Sequence, residues 1–447
     1  MPARDPDVVI VGAGAAGLAA AATLVEAGYD VAVLEARDRI GGRILTQHIA
    51  SLEVPVELGA EFIHGVAEPI RRIASKYHLP TVDIAQHYVI SARGRLSRID
   101  DYPARLGRSM ERVARNLSGD RSFADALRAN GRHLSAEDRS LVTQFVEGFE
   151  AADPAVISQR ALIEGMPGDD VLESRIGRML RGYSSLIDRL AESARSRVRF
   201  GTVVSAVRWK RGHVEVACRD LAGGTMGSVS ASAVIVTVPV GVLVASTGTA
   251  GSIVFDPPLP SVEHALAGLA MGPVVRMSLR FDHPFWLDRR YAEHLTFPGL
   301  DQTSFILSKG RAAFPVCWTT YPVRAPLLTT WVGGPGAGAM SRLSLPKLEA
   351  NAVASVAHTF STTPRVIRGM LLESFHHDWT NDPFARGAYS YSRVGGHDAP
   401  RELARPIRGT IWFAGEATDQ QGDIGTVHAA IGSGERAAHQ IMRRRHA

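Results

Sequence analysis

The chain has 447 residues, too many for one typical core, so two or three closely packed domains are expected. Its composition, 45% hydrophobic and 21% charged, excludes a disordered chain, and no run approaches the roughly 20 uninterrupted apolar residues of a spanning helix. Two cysteines, Cys218 and Cys317, exclude a disulfide framework or a cysteine-cluster metal site; the net charge of +5 rests on arginines scattered along the chain with only four lysines, which speaks against nucleic acid. The first residues lack a signal-peptide layout, and with so few cysteines a reducing, cytoplasmic setting is expected.

In chain order, Val8–Val11 reads as a buried parallel strand. It runs into "GAGAAGLAAAATLVEAG", in which Gly12, Gly14 and Gly17 have the G-x-G-x-x-G spacing: a tight turn, room for a pyrophosphate, and close helix–strand contact. The alanine-rich run predicts a helix capped near Gly28. "DVAVLE" predicts a second strand ending in Glu35, eighteen residues after Gly17, where a carboxylate can accept from both ribose hydroxyls and repels a 2′-phosphate. Strand, glycine triplet, helix, strand and terminal acid in this order predict a dinucleotide site. "ARDRIGGR" (Ala36–Arg43) offers close backbone approach and positive charge, suited to more diphosphate or a flavin; "VELGAEFIHG" (Val56–Gly65) follows as a turn and strand.

Residues 66–197 read as mostly helical, through "EPIRRIASKYHL", "SAEDRSLVTQFVEGFEAAD" and "LESRIGRMLRGYSSLIDRLAESARSRV". Ser135 with Asp138 resembles a capping box, and Leu141, Phe145 and Phe149 recur at helical spacing as core. Strand alternation returns at "VRFGTVVSAVRW", "HVEVAC" and "SASAVIVTVPVGVL". In "MGPVVRMSLRFDHPFW", Val275, Met277, Leu279 and Phe281 share one side and Val274, Arg276, Ser278 and Arg280 the other. That pattern alone leaves open whether Arg276 faces solvent or a ligand. "GGPGAGAM" (Gly333–Met340) reads as a loop, "SLPKLEANAVASVAHTF" as a helix, and Arg443–Arg445 as charges complementing a C-terminal helix dipole.

The order "GAGAAGL", Glu35, "RIGGR", "ELGAEFIHG", with "HHDWTNDPFARGAYSYS" and "IWFAGEATDQQGDIGTVHAAIGSGERAA" at the far end, resembles the flavin-containing amine oxidases. That group includes monoamine, polyamine and L-amino-acid oxidases and lysine-specific histone demethylases. The resemblance implies an α/β fold of the amine oxidase or glutathione reductase type, in which a Rossmann-like FAD-binding domain (1–75, 198–261 and 385–447) is interleaved with an α+β substrate-binding domain (76–197 and 262–384). It implies FAD contacts from Gly12, Gly14, Ala15, Ala16, Gly17, Glu35, Ala36, Arg37, Gly42 and Arg43. Further contacts are implied from Gly59, Ala60, Glu61, Phe62, Val204, Gly415, Glu416, Gly425, Thr426 and Val427. Ala388 stands where monoamine oxidases carry the flavin-linking cysteine, so noncovalent FAD is expected.

Four residues are expected at the reacting end. Tyr389 matches an aromatic residue beside the flavin. Thr426 stands where monoamine oxidases have a second aromatic wall. His64 matches a polyamine oxidase histidine that could bond an amine or shuttle a proton near neutral pH, with a structural role equally open. Arg276 replaces the lysine that most characterised relatives link through water to flavin N5. An arginine cannot act as a base, but it could hold a water or stabilise reduced flavin, with a structural ion pair as the alternative. Glu61 and Asp382 are weaker candidates as cation anchors.

The expected reaction is oxidation of a neutral small-molecule amine to an imine, hydrolysed to a carbonyl compound, with O2 reduced to H2O2. No nucleic-acid or membrane partner is expected, and a homodimer is left open. The alternatives are a flavin dehydrogenase or desaturase using another acceptor, an L-amino-acid oxidase, and a flavoprotein without turnover.

Overall fold

The computed structural model describes residues 5–92, 95–99, 101–115, 119–166, 175–292, 300–310 and 312–445. Five parallel strands form the nucleotide sheet in the order Val198–Arg199, Val31–Leu34, Val8–Val11, Ala233–Val236 and Ile411–Phe413. The three central strands are buried on both faces, which is why they read as unbroken apolar runs. Behind the first strand lies the helix Ala15–Glu26, whose small residues let it press on both the sheet and the C-terminal helix Val427–Arg445. A Cβ on Gly17 would lie 1.9 Å from the Gly12 carbonyl oxygen, and one on Gly434 would lie 2.1 Å from that of Ala16.

The second sheet has seven strands: Leu371–Phe375, Val274–Phe281, Leu327–Gly333, Val316–Thr319, Phe305–Ser308, Tyr88–Ala92 and Arg95–Ile99. Neighbours are antiparallel except Phe305–Ser308 with Tyr88–Ala92. Val275, Met277, Leu279 and Phe281 share an apolar core with the helix Leu345–Thr359. The opposite face is not wet: Val274 and Arg276 border an internal cavity, and Ser278 Oγ lies 3.0 Å from Thr329 Oγ1. Both sides of this strand are therefore buried, and Arg276 faces inward.

Several segments differ from their sequence reading. Gly333–Met340 is not a loop: Gly334–Met340 is a helix with Gly334, Ala337 and Met340 buried. Its glycines serve close approach, since a Cβ on Gly333 would sit 2.4 Å from the Glu147 carbonyl oxygen. The stretch 66–197 holds strands as well as helices, at Thr81–Asp83, Tyr88–Ala92, Arg95–Ile99 and Ile176–Met179. The part of its third helical run at Leu172–Ser174 lies outside the described residues. Tyr183–Leu190 shares the nucleotide-sheet core with Ala19 and Ala20. Ser135 caps the helix Ala136–Gln144, accepting from Asp138 N at 3.0 Å. The chain then widens into a π-helical turn, Phe145–Phe149. That turn carries Phe149 out of the core, and the ring borders the cavity, half-exposed.

Among the described residues no helix is long and apolar enough to cross a membrane, and no group of three or more His, Cys, Asp or Glu side chains could hold a metal ion.

Gly17 and Gly28 separate sterics from backbone preference. Gly17→Ala drives a methyl into backbone and is expected to lower stability by more than about 3 kcal/mol. Gly28→Ala, at φ +83 with open space around it, is expected to lose about 1 kcal/mol. Denaturant unfolding of the two variants checks the order.

Candidate active site

A cavity of about 1330 Å³ is bordered by Glu35 and Val204 on the nucleotide-sheet side and by Arg276, Trp318 and Tyr389 at the other end. Its first part is built of backbone. Glu35 is 4% exposed; one carboxylate oxygen accepts from Ala13 N at 2.7 Å and the other from Arg37 N at 2.9 Å. Each oxygen keeps a lone pair for a ribose hydroxyl. Gly14 begins the Ala15–Glu26 helix with no side-chain cap and no acid in the first turn, so the leading amides of Ala15 and Ala16 are left for an anion. Gly14 and Gly41 form a parallel bridge, and a Cβ on Gly42 would lie 3.3 Å from Gly14 Cα. Side chains are thereby kept out of a narrow cradle. Carboxylate, open helix terminus and cradle together fit the dinucleotide part of FAD.

Arginines fix the middle of the cavity. Arg37 donates to Asp382 at 2.7 Å and lies 5.4 Å above the Phe384 ring. Although burial opposes it, hydrogen bonds from His377 and Arg37 hold the Asp382 carboxyl well below the usual range. Asp382 is thus not a free cation anchor. Arg43 donates to Ala388 O at 2.9 Å and to Glu416 at 2.8 Å. Glu416, 4% exposed, also accepts from Ser390 Oγ at 2.6 Å and Gly425 N at 3.0 Å. It borders the cavity, but its oxygens tie the loops around the cavity to one another. The remaining expected contacts Gly12, Ala36, Gly59, Ala60, Phe62, Gly415 and Val427 also border the cavity; Gly17 does not and serves helix–strand contact.

At the far end the expected residues come together with altered roles. Tyr389 borders the cavity, donates its hydroxyl to Phe149 O at 2.5 Å, and burial lifts that hydroxyl above the usual tyrosine range. Thr426 caps the C-terminal helix: its hydroxyl donates to Asp423 O at 2.7 Å and accepts from Ala429 N at 3.2 Å. His64 stands edge-on to Phe149 with ring centroids 5.3 Å apart; burial, then nearby His428, pushes it down to about 4. A neutral imidazole follows, and a proton shuttle near neutral pH does not.

Arg276, 5% exposed, donates to Gly59 O at 2.9 Å and to Glu61 at 2.5 Å, with its guanidinium 5.5 Å from the Trp318 ring centroid. It is both a cavity residue and an ion-pair partner. Glu61 also accepts from Arg178 and Trp318, so it is not a substrate anchor.

Two features escaped the sequence. Tyr102, Tyr88, Phe305, Phe62, Trp318 and Trp331 form a chain of neighbouring rings, successive centroids 3.9 to 5.6 Å apart. Glu150 borders the cavity beyond the π-turn, pushed up to about 7 by burial, and no described residue pairs with its carboxylate. The rings come from separated segments, and Glu150 in "FEAADP" carries no local mark; neither had a sequence signal.

The sequence model described as flavin containing amine oxidoreductase matches residues 15–442. Polyamine oxidase 3 of Oryza sativa subsp. japonica is 29% identical over 99% of this chain and 90% of its own length. Lysine-specific histone demethylase 1 homolog 2 of Arabidopsis thaliana is 27% identical over 98% of this chain and 58% of its own length. Among solved structures, wild-type putrescine oxidase bound to putrescine aligns with a TM-score of 0.78 at 24% identity, covering 99% of this chain and 100% of that one.

Removing Glu416 leaves the half-buried Arg43 with only its Ala388 bond and strands three donors, Ser390 N, Ser390 Oγ and Gly425 N. Glu416→Ala is expected to lower unfolding stability by about 3–5 kcal/mol, measured by denaturant titration.

Proposed function

Because the chain belongs to the flavin containing amine oxidoreductases, with FAD as cofactor and amine oxidation as its reaction, we propose that it oxidises a compact amine with one cationic end and passes the electrons to O2, giving H2O2. The observation that carries this reading is the cavity joining a dinucleotide cradle to an aromatic chamber bordered by Glu150, whose carboxylate has no partner among the described residues and is pushed up by burial. FAD bound along it supplies the acceptor for a hydride from the carbon next to nitrogen. Ala388 has no nucleophile, which supports noncovalent binding.

Each side chain has a task. The ring chain from Tyr102 to Trp331 excludes water and holds the apolar part of the amine. Tyr389, fixed through its hydroxyl, presents a ring face that orients the nitrogen. Glu150 draws the ammonium form into the chamber. Neutral His64 adds no competing charge. With Glu150 as the buried free carboxylate at the aromatic chamber, a monoamine or short diamine is favoured over a long polyamine.

A second reading, oxidation with another electron acceptor, is favoured by Arg276, which stays protonated and cannot pass a proton on. One experiment separates the two. In an anaerobic amine panel, the flavin absorbance is expected to bleach with a compact amine and, on admitting air, to recover rapidly with one H2O2 per turnover. Slow recovery without peroxide selects the other acceptor; a yellow protein that no amine bleaches defeats both. Bleaching should quicken with pH as the amine loses its proton.

The raised value at Glu150 gives a separate sign. Its carboxyl is neutral below about 7 and charged above it. The KM for a cationic amine is therefore expected to fall as pH rises through 7. In Glu150→Gln that inflection should vanish and KM rise about tenfold, with kcat changed little.

A further inference from the structure

Glu61 holds four donors on two oxygens. One accepts from Arg178 Nε at 3.0 Å, with Arg178 Nη2 at 2.9 Å. The other accepts from Arg276 Nη2 at 2.5 Å and Trp318 Nε1 at 3.0 Å. Arg178 is opposite Phe62 across the antiparallel strands Phe62–His64 and Ile176–Met179, and it also donates to the Thr319 and Tyr321 carbonyls at 2.8 Å each. Its side chain is 11% exposed, and unlike Glu61 and Arg276 it does not border the cavity.

Two arginines thus share one carboxylate, and arginine stays charged at any working pH. The group carries net +1 in a poorly solvated region. Buried ion sets of this kind are weak contributors to stability, since apolar replacements of like volume are often neutral or better. The charge itself needs another explanation. We propose that Arg178 sets the net positive charge which Arg276 presents at the reacting end of the cavity, with Glu61 as their common counter-ion. Arg178 is then a positioning residue in the electrostatic sense: it cancels Glu61, so that the charge of Arg276 is not cancelled. Without Arg178, Glu61 would neutralise Arg276, and the chamber would lose its attraction for anionic ligands and for negative charge developing on a reduced cofactor.

This inference rests on the proposed placement of the flavin's redox ring beside Arg276 and Tyr389. The FAD-loaded enzyme is titrated with sulfite, a small anion that adds to oxidised flavin and bleaches its visible band. Arg178→Met is expected to weaken sulfite binding at least tenfold, and Arg178→Lys, which keeps the charge, to stay within threefold of wild type. The double variant E61Q/R178M removes one charge of each sign and should also return to within threefold. Unchanged binding in Arg178→Met overturns the proposal. So does equal weakening in all three variants, which would mark a purely steric role. If Arg178→Met does not retain flavin, Arg178→Gln takes its place under the same limits. A yellow wild-type enzyme that amines bleach but sulfite does not also overturns it, leaving the amine oxidase reading intact. A colourless protein that FAD cannot reconstitute overturns both.

Discussion

The first and last helices cross with almost nothing between them, and the site depends on that contact. Gly434 faces the Ala16 carbonyl where a methyl would sit at 2.1 Å, and Gly17 faces that of Gly12 at 1.9 Å. The first distance leaves no slack in how Val427–Arg445 lies on Ala15–Glu26, and the second leaves none between that helix and its glycine turn. The loop entering the last helix, Gly415 to Thr426, is thereby held beside the glycine turn that opens the first. Glu416 then reaches Arg43, and Arg43 reaches Ala388, the residue before Tyr389. A cavity wall drawn from residues more than 300 positions apart is fixed by two glycines and one buried ion pair.

Charge in the cavity wall follows a simple rule. Apart from Glu35, which accepts from backbone amides, the buried acids in or just behind the wall are paired with arginines: Asp382 with Arg37, Glu416 with Arg43, and Glu61 with Arg178 and Arg276. Each pairing offsets a desolvation cost that an isolated carboxylate would bear in full. Glu150 departs from the rule, and burial lifts its value accordingly. Unpaired, it is the carboxylate in the chamber that a ligand can still satisfy.

The nucleotide half was legible because its logic is local. Strand, turn, helix and strand follow within thirty residues, and Gly12 at φ +104 and Gly17 under its neighbour's carbonyl are what the spacing requires. The chamber was less legible because its logic is not local. The alternation at Val274–Phe281 correctly divided two faces, but only the fold shows that both are buried. Phe149 had the right period for core, yet a five-residue π-turn rotated it into the cavity. Gly333–Met340 had the composition of a loop, and its glycines instead admit a helix against the Glu147 carbonyl. Glu61 and Arg178, 117 residues apart, meet across two short strands that no periodicity announces.

The same contrast governs how the chamber responds to protons. Arg276 keeps its charge throughout, His64 gains a charge only below about 4, and Tyr389 is lifted above the usual tyrosine range. Of these and Glu150, Glu150 alone changes state between about pH 5 and 9. A lysine in place of Arg276 would add a second group able to titrate, because burial moves lysine readily. With arginine there, the cation bordering the cavity is constant, and the pH dependence of the chamber passes to Glu150 and to a bound amine. The ion pair from Arg276 through Glu61 to Arg178 is what holds that constant charge in position.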